Sequence, residues 1–229
     1  MLTRPFEDIK DLIIKFKSLG HIVSHLPVIK VNELVVSNLN YSNFSGIIFT
    51  SANSVKFLDT KKIDKSIHCF CVGTATENLV LKKGFQNVYA AEGNVENLKE
   101  IIIQNYDKRS GKLLYVSGEI ISSNLHKQLM DQDFQVDRIV NYSVEHVKDF
   151  DQKFIKSLKN SMPDIIYVYS ENSAKSLLNI IKRYDLVDYW MNTNLMCLGE
   201  KTSTVLNEVK WKKIFIFNPG EEEFLLYKI

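Results

Sequence analysis

The sequence predicts an α/β protein with two similar domains, each a parallel sheet flanked by helices, joined by a two-stranded β linker. One of the two domains is predicted to be discontinuous in the chain. Three observations predict this fold: short apolar runs alternate with segments of helical period, polar motifs recur in both halves, and the order of the recurring units is permuted.

Strand-like runs rich in Ile, Val, Phe and Tyr alternate with helical segments along the chain. This βαβ rhythm favours parallel strands covered by helices. The predicted strands are Gly46–Phe49, Ile67–Val72, Asn87–Ala90, Lys112–Val116, Ile165–Tyr169, Leu195–Leu198 and Lys213–Phe217. A short closing helix is predicted from Gly220 to Ile229.

Three polar blocks occur twice, in the same order, where predicted strands lead into helices. Ser51, Asn53, Ser54, Lys56 and Leu58 recur as Ser170, Asn172, Ser173, Lys175 and Leu177. CVGTAT at 71–76 recurs as CLGEKT at 197–202, and Gly93 corresponds to Gly220. Chance could produce one such match, but three in order indicate two homologous halves.

A fourth unit of strand, loop and helix appears once before the first repeat and once between the repeats. The amino-terminal unit must therefore join the carboxyl-terminal half, with the other half inserted between them. The predicted domains are residues 1–34 plus 146–229, which form the discontinuous domain, and residues 35–145. Strand-like linkers near 21–31 and 136–146 are expected to pair.

Composition excludes several classes of protein. Lys and Arg total 29 against 27 Asp and Glu, so no global positive field exists for nucleic acid or a membrane surface. No uncharged run is long enough to span a bilayer. The three cysteines, Cys69, Cys71 and Cys197, suggest neither a disulfide framework nor a zinc site, which fits a reducing cytoplasm.

The loops at the predicted strand-to-helix junctions carry the candidate chemistry, because ligands of open parallel sheets bind outside the carboxyl ends of the strands. Hydroxyls beside free helix N–H groups, with glycines that allow close approach, favour anion binding. These loops contain Thr50, Ser51, Gly73, Thr76, Gly118, Ser170, Ser173 and Thr202. We expect loops of both halves to face one small polyanion. The alternative is that the serines and threonines only cap helices.

The chain resembles the uroporphyrinogen-III synthase family over nearly its whole length. The resemblance rests on LTRP at 2–5, IIFTSANSV at 47–55, VGTATENL at 72–79, EGNVENL at 92–98, LLYVSGE at 113–119, VNYSV at 140–144 and CLGEKT at 197–202. It implies two α/β domains with a β-ladder linker, and hydroxymethylbilane as substrate. It also implies loss of water to an azafulvene, a spiro intermediate that inverts the last pyrrole ring, and neither cofactor nor metal.

The resemblance also implies roles for particular residues. Tyr142 is the expected catalytic proton donor, although its alternation with Val140 and Val144 equally fits a packed strand residue. Substrate binding is expected of the loop residues and of Arg4 in LTRP. One departure concerns the loop after Gly118, where Glu119 stands in place of the basic residue that family members often carry.

The resemblance further implies a monomer, and it admits a transient contact with the upstream hydroxymethylbilane synthase. An alternative from another class is a non-enzymatic bilobal protein that binds a small polyanion, since repeated halves and hinge strands suit it equally well. A methyltransferase or reductase lacks its expected glycine fingerprint here.

Overall fold

The computed structural model describes residues 1–37, 39–92, 94–218 and 220–222. The chain divides into two compact units: a discontinuous unit of Met1–Lys30 and Glu145–Ile229, and an inserted unit of Val31–Val144. Gly93 lies outside the described residues, as does the part beyond Glu222 of the closing helix predicted from Gly220 to Ile229.

The inserted unit is built on a six-stranded sheet with the strand order β1-β6-β5-β2-β3-β4. Its strands are β1 Ile29–Glu33, β2 Phe44–Phe49, β3 His68–Val72, β4 Asn87–Ala91, β5 Lys112–Gly118 and β6 Val136–His146. Its helices are α2 Ala52–Lys56, α3 Thr74–Lys82, α4 Val95–Asn105 and α5 Leu125–Met130. Strands β2 to β6 pair in parallel, which confirms the predicted α/β class.

Helices cover both faces of this sheet because strands β2 to β5 alternate apolar side chains between two buried clusters. Phe49 packs with Val55 and Val80 of α2 and α3 in one cluster. Phe70 and Leu98 of α4 lie in the other, which also includes the predicted α5 residues Leu125 and Leu129.

The discontinuous unit contains the parallel strands β7 Ile165–Val168, β8 Asn194–Leu198 and β9 Lys213–Phe217. Its helices are α1 Lys10–Ser18, α6 Gln152–Asn160, α7 Glu171–Arg183 and α8 Glu200–Leu206. Leu2 forms isolated bridges with Tyr167 and with His25. Leu2 therefore adjoins β7 as β5 adjoins β2, and the two units share one strand order.

The second predicted linker lies within the single strand β6, whereas the first is only partly in a named strand. Of the predicted segment 21–31, only the part from Ile29 lies in β1. The N–H groups of Leu26 and Val28 donate instead to Leu2 and Thr3, and Pro27 has no N–H for a ladder. Ile22, near the start of the segment, is fully exposed. Within the described part of the chain, every helix is too short or too polar to cross a bilayer.

Candidate functional site

The predicted site residues lie at the carboxyl ends of parallel strands in both units. In the inserted unit they follow β2, β3 and β5, and Tyr142 lies on β6. In the discontinuous unit they follow Leu2, β7 and β8. This edge of an α/β sheet is where helix N-termini and their unpaired N–H groups are directed.

The loop after β2 holds two of the predicted hydroxyls in different ways. The Thr50 hydroxyl lies 3.0 Å from the hydroxyl of Tyr115 on β5. The Ser51 oxygen caps α2 by accepting from the Asn53 N–H at 3.2 Å. Ser51 thus makes the bond expected of a helix cap, while Thr50 joins a side-chain pair that capping does not require.

The loop after β3 depends on glycine. Gly73 has φ +80°, a conformation that residues with a Cβ rarely adopt, and a Cβ there would meet nothing within 4 Å. The carbonyl oxygen of Gly73 accepts from the N–H groups of Thr76 and Glu77, so α3 begins directly at this loop. Thr76 is buried. The open side of Gly73 exposes main chain that can approach a ligand.

Tyr142 packs directly on Gly118 at the end of β5. The two residues are register partners across a β-bulge, and a Cβ on Gly118 would lie 2.6 Å from Tyr142 Cζ and 2.9 Å from its Oη. The ring also lies 6.5 Å from that of Phe57. No described residue forms a hydrogen bond with the Tyr142 hydroxyl. The ring is therefore held by packing and its hydroxyl is left available as a donor.

Sequence reasoning missed Arg138 on β6, which supplies a cation to the loop that lacks one after Gly118. Its Nε donates to the Ser117 hydroxyl oxygen at 2.8 Å. Its Nη2 donates to the carbonyl oxygens of Gly118 at 2.7 Å and Glu119 at 3.0 Å. The available signal was an arginine on the strand-like segment that also carries Tyr142.

Asn141, also on β6, is a second polar residue that sequence reasoning missed. It is fully buried, and its Nδ2 donates to the carbonyl oxygen of Ser54 in α2 at 2.8 Å. Its Oδ1 has no hydrogen-bond partner in the part of the chain that the structure describes. This bond ties the strand that carries Tyr142 to the helix that follows Thr50 and Ser51.

Two side chains of the inserted unit lie beside Arg138: Tyr115 on β5 and His126 on α5. Tyr115 is the register partner of Arg138, and the rings of Tyr115 and His126 are 6.2 Å apart. Burial raises the pKa of Tyr115, which opposes loss of its proton. Burial, followed by the charges of Arg138 and Lys127, lowers the pKa of His126. The neutral forms of both side chains are therefore favoured.

In the discontinuous unit, the hydroxyls of the predicted site residues form hydrogen bonds within their own loops. The Ser170 oxygen caps α7 by accepting from the Ser173 N–H at 3.1 Å, and the two hydroxyls are 2.9 Å apart. Thr202 donates its hydroxyl to the Leu198 carbonyl oxygen at 2.8 Å. Gly199 has φ +79° and open space at its Cβ position, as Gly73 has in the other unit. The Ser170 bond is the helix cap of the alternative interpretation, whereas the Thr202 hydroxyl bonds back to the end of β8 and α8 has no side-chain cap.

Arg4 lies over the ring of Tyr169, with its guanidinium carbon 4.2 Å from the ring centroid. The Nε2–H of His25 donates to the Arg4 carbonyl oxygen at 2.7 Å and fixes the turn that carries it. The Tyr169 hydroxyl is buried and has no hydrogen-bond partner among the described residues. Burial, followed by the charge of Glu222, raises the pKa of Tyr169 strongly. A neutral donor and a cation thus lie together at the end of β7.

The described residues provide neither a thiolate nucleophile nor a cluster for metal. Burial raises the pKa of the Cys71 and Cys197 thiols to about 12, with Glu77 adding to the effect at Cys71. Among these residues, no group of three His, Cys, Asp or Glu side chains could hold a metal ion. The chemistry at the strand ends is that of hydroxyls, main-chain N–H groups and arginines.

A cavity of about 490 Å³ in the discontinuous unit lies at the opposite, amino end of the strands. It is lined by residues 20–24 and 161–165, among others, and contains none of the predicted site residues. The position of the candidate site therefore rests on the strand-end loops and not on this cavity.

The fold is that of an α/β protein with two parallel-sheet units, and hydroxyl and arginine side chains lie beside its strand-end loops. A family model described as uroporphyrinogen-III synthase HemD matches residues 10–219. The chain therefore belongs to the uroporphyrinogen-III synthase family, which confirms the resemblance seen in its motifs.

Individual relatives agree with this assignment. A uroporphyrinogen-III synthase of Saccharomyces cerevisiae is 28% identical over 180 residues, which are 68% of this chain and 66% of the yeast protein. The crystal structure of uroporphyrinogen-III synthetase from Helicobacter pylori 26695 has a TM-score of 0.63 at 20% identity, over 90% of this chain and 92% of that one. A mutant uroporphyrinogen III synthase from the extremely thermophilic bacterium Thermus thermophilus also has a TM-score of 0.63, at 12% identity, over 99% of this chain and 96% of that one. At these identities the two structures establish the fold.

Proposed function

We propose that the chain catalyses cyclisation of hydroxymethylbilane to uroporphyrinogen III, with loss of water and inversion of the last pyrrole ring, in tetrapyrrole biosynthesis. The chain would thus be a cyclising lyase that needs no cofactor. The observation that carries the proposal is the family match over residues 10–219, which includes every predicted loop except that of Arg4.

The reaction needs orientation and protonation more than a strong nucleophile. An electron-rich pyrrole expels its own hydroxyl once that hydroxyl receives a proton, and the resulting azafulvene is attacked within the same chain. Tyr142 is the proposed donor, because packing on Gly118 fixes its ring while no described residue accepts from its hydroxyl. Ring closure releases a proton, which restores the tyrosine and leaves water as the only co-product.

Holding the flexible tetrapyrrole in one conformation is the larger task of the site. We assign its acetate and propionate carboxylates to Arg4, Thr50, Ser51, Gly73, Thr76, Gly118, Ser170, Ser173 and Thr202. Where the hydroxyl is already engaged, as in Thr202, the contribution comes from main-chain N–H groups at the helix start. Fixed dipoles of this kind bind carboxylates without a strongly basic surface.

The proposed setting follows from the same residues. Three free, buried cysteines support a reducing compartment, the cytoplasm. We propose a monomer that receives its substrate from hydroxymethylbilane synthase, with a transient contact between the two, because the linear substrate closes without assistance to the wrong isomer.

The experiment is an assay with freshly generated hydroxymethylbilane, followed by isomer-resolving chromatography of the oxidised products. We expect the type III isomer to exceed type I and to increase with protein concentration. Type I alone, formed at the rate of the protein-free control, would overturn the proposal and favour a non-enzymatic binding protein.

A further inference from the structure

Arg138 carries a positive charge that no described carboxylate neutralises. Its three hydrogen-bond acceptors are the Ser117 hydroxyl and the carbonyls of Gly118 and Glu119, all of them neutral groups. On the same two strands, Lys112 and Asp137 form an ion pair at 2.9 Å. The charge of Lys112 is thus compensated within the fold, whereas the charge of Arg138 is left for a partner outside it.

The guanidinium is held in place yet retains donors. A guanidinium has five N–H groups, and the three bonds of Arg138 use only its Nε and Nη2 atoms. The Nη1 group forms no hydrogen bond with any described residue. Half-burial and three bonds fix the side chain, so that little rotamer freedom is lost when a ligand binds.

Two neutral side chains, Tyr115 and His126, lie close to Arg138. Tyr115, its register partner, lies with its hydroxyl 3.0 Å from that of Thr50. His126 lies against Tyr115, and its buried Nδ1 has no hydrogen-bond partner in the described residues. A fixed cation beside neutral hydroxyls matches the needs of a carboxylate, whereas a cationic or apolar group would gain nothing there.

We propose that Arg138 is a substrate-binding residue that pairs with one pyrrole carboxylate through its unused N–H groups. The same residue positions the loop after β5 through its bonds to Gly118 and Glu119. This proposal rests on the proposed function and adds a specificity-determining residue to it.

The test compares Arg138→Gln and Arg138→Lys with Lys112→Gln in steady-state assays that resolve the isomers. Lys112→Gln is the matched control because it removes the same charge from a neighbouring strand, where Asp137 already compensates it. We expect Arg138→Gln to raise KM about tenfold or more with a smaller change in kcat, since charge-assisted bonds are the stronger class. Arg138→Lys should raise KM less, and Lys112→Gln should behave as the wild type.

Ionic strength separates binding from a purely structural role. The KM of the enzyme for a polyanionic substrate increases with salt concentration, because salt screens the attraction between opposite charges. If Arg138 pairs directly with the substrate, this increase should be smaller in Arg138→Gln than in wild type, and unchanged in Lys112→Gln. If wild type makes type III product while Arg138→Gln shares the KM and salt dependence of Lys112→Gln, this inference fails and the function stands. A loss confined to kcat and thermal stability would equally overturn it, whereas absence of type III product from wild type would overturn the function itself.

Discussion

In the discontinuous unit, the Ser170 and Thr202 side chains are hydrogen-bonded within their own loops, whereas in the inserted unit the Tyr142 hydroxyl has no partner among the described residues. Each unit also has an arginine whose guanidinium lies beside a strand-end loop. Arg4 lies over the Tyr169 ring, while Arg138 is bonded to the backbone of the next loop.

The difference shows that a duplicated backbone does not require duplicated chemistry. Ser51 and Ser170 cap corresponding helices in both units because each helix start has unpaired N–H groups to satisfy. In the inserted unit, Tyr142 and Arg138 retain unused donors on β6, outside the repeated motifs, whereas in the discontinuous unit the Tyr169 hydroxyl after β7 has no described partner. We therefore expect the inserted unit to contribute more to the chemical step, and the discontinuous unit more to binding.

The largest expected effect comes from Tyr142→Phe, which keeps the ring that packs on Gly118 and removes only the hydroxyl. If that hydroxyl protonates the leaving group, kcat should fall by about 100-fold or more, with KM little changed. Single-turnover assays that follow formation of the type III product measure this fall in the rate of the chemical step. Tyr89→Phe is the control, because Tyr89 on β4 also stacks on a neighbouring ring, that of Phe70 at 5.2 Å, away from this loop. Equal activity of the two variants would assign Tyr142 to packing.

Gly118→Ala tests whether the close approach of glycine and ring matters. A Cβ 2.6 Å from Tyr142 Cζ must displace the ring, and we expect kcat to fall about tenfold because catalysis is sensitive to small misplacements. The double variant Gly118→Ala/Tyr142→Phe should lose no more activity than Tyr142→Phe alone. Additive losses would mean that Gly118 acts independently of the hydroxyl.

The sequence predicts those elements of the fold that depend on local patterns of residues, namely the strands and the loops that follow them. The seven strands from Gly46 to Phe217 were predictable because runs of apolar β-formers lie between turn signals. The strand-end loops were predictable from their repeats. The linker before Ile29 was not, because its pairing with Leu2 and Thr3 depends on contacts across the chain, and its strand-like composition says nothing of its partner.

The loops of the candidate site could be predicted from the sequence, but the hydrogen bonds and packing within them could not. The sequence places Tyr142 on a strand, yet its packing on Gly118 follows from a β-bulge that shifts the register of β5 and β6. The same holds for Arg138, whose role depends on which carbonyls its guanidinium reaches. A local sequence pattern does not indicate which residue of the adjacent strand a given side chain will contact.

Ser170→Ala and Ser51→Ala compare the two corresponding caps. Ser170 both accepts from the Ser173 N–H and contacts the Ser173 hydroxyl, whereas Ser51 accepts from one N–H at 3.2 Å. Loss of a cap costs about 1 kcal/mol, so we expect Ser170→Ala to lower the free energy of unfolding by about that amount and Ser51→Ala by less. Urea denaturation measures both. Equal losses would remove this difference between the units.

Tyr169→Phe addresses the orphaned hydroxyl of the discontinuous unit, with Tyr167→Phe as a control from the same strand region. The Tyr167 hydroxyl donates to the Glu222 carbonyl oxygen at 2.8 Å, so its removal should destabilise the protein. The Tyr169 hydroxyl is buried without a described partner, and removing it should raise the free energy of unfolding by about 1 kcal/mol at most.

Tyr169→Phe could both stabilise the protein and raise its KM. That result would mean that the Tyr169 hydroxyl, beside Arg4, binds the substrate although it lowers the stability of the fold. Thermal unfolding without substrate and steady-state kinetics measure the two effects separately. If Tyr169→Phe destabilises the protein as Tyr167→Phe does, the hydroxyl is part of the fold. The discontinuous unit would then bind through Arg4 and main-chain N–H groups alone, and the contrast with the inserted unit would be sharper.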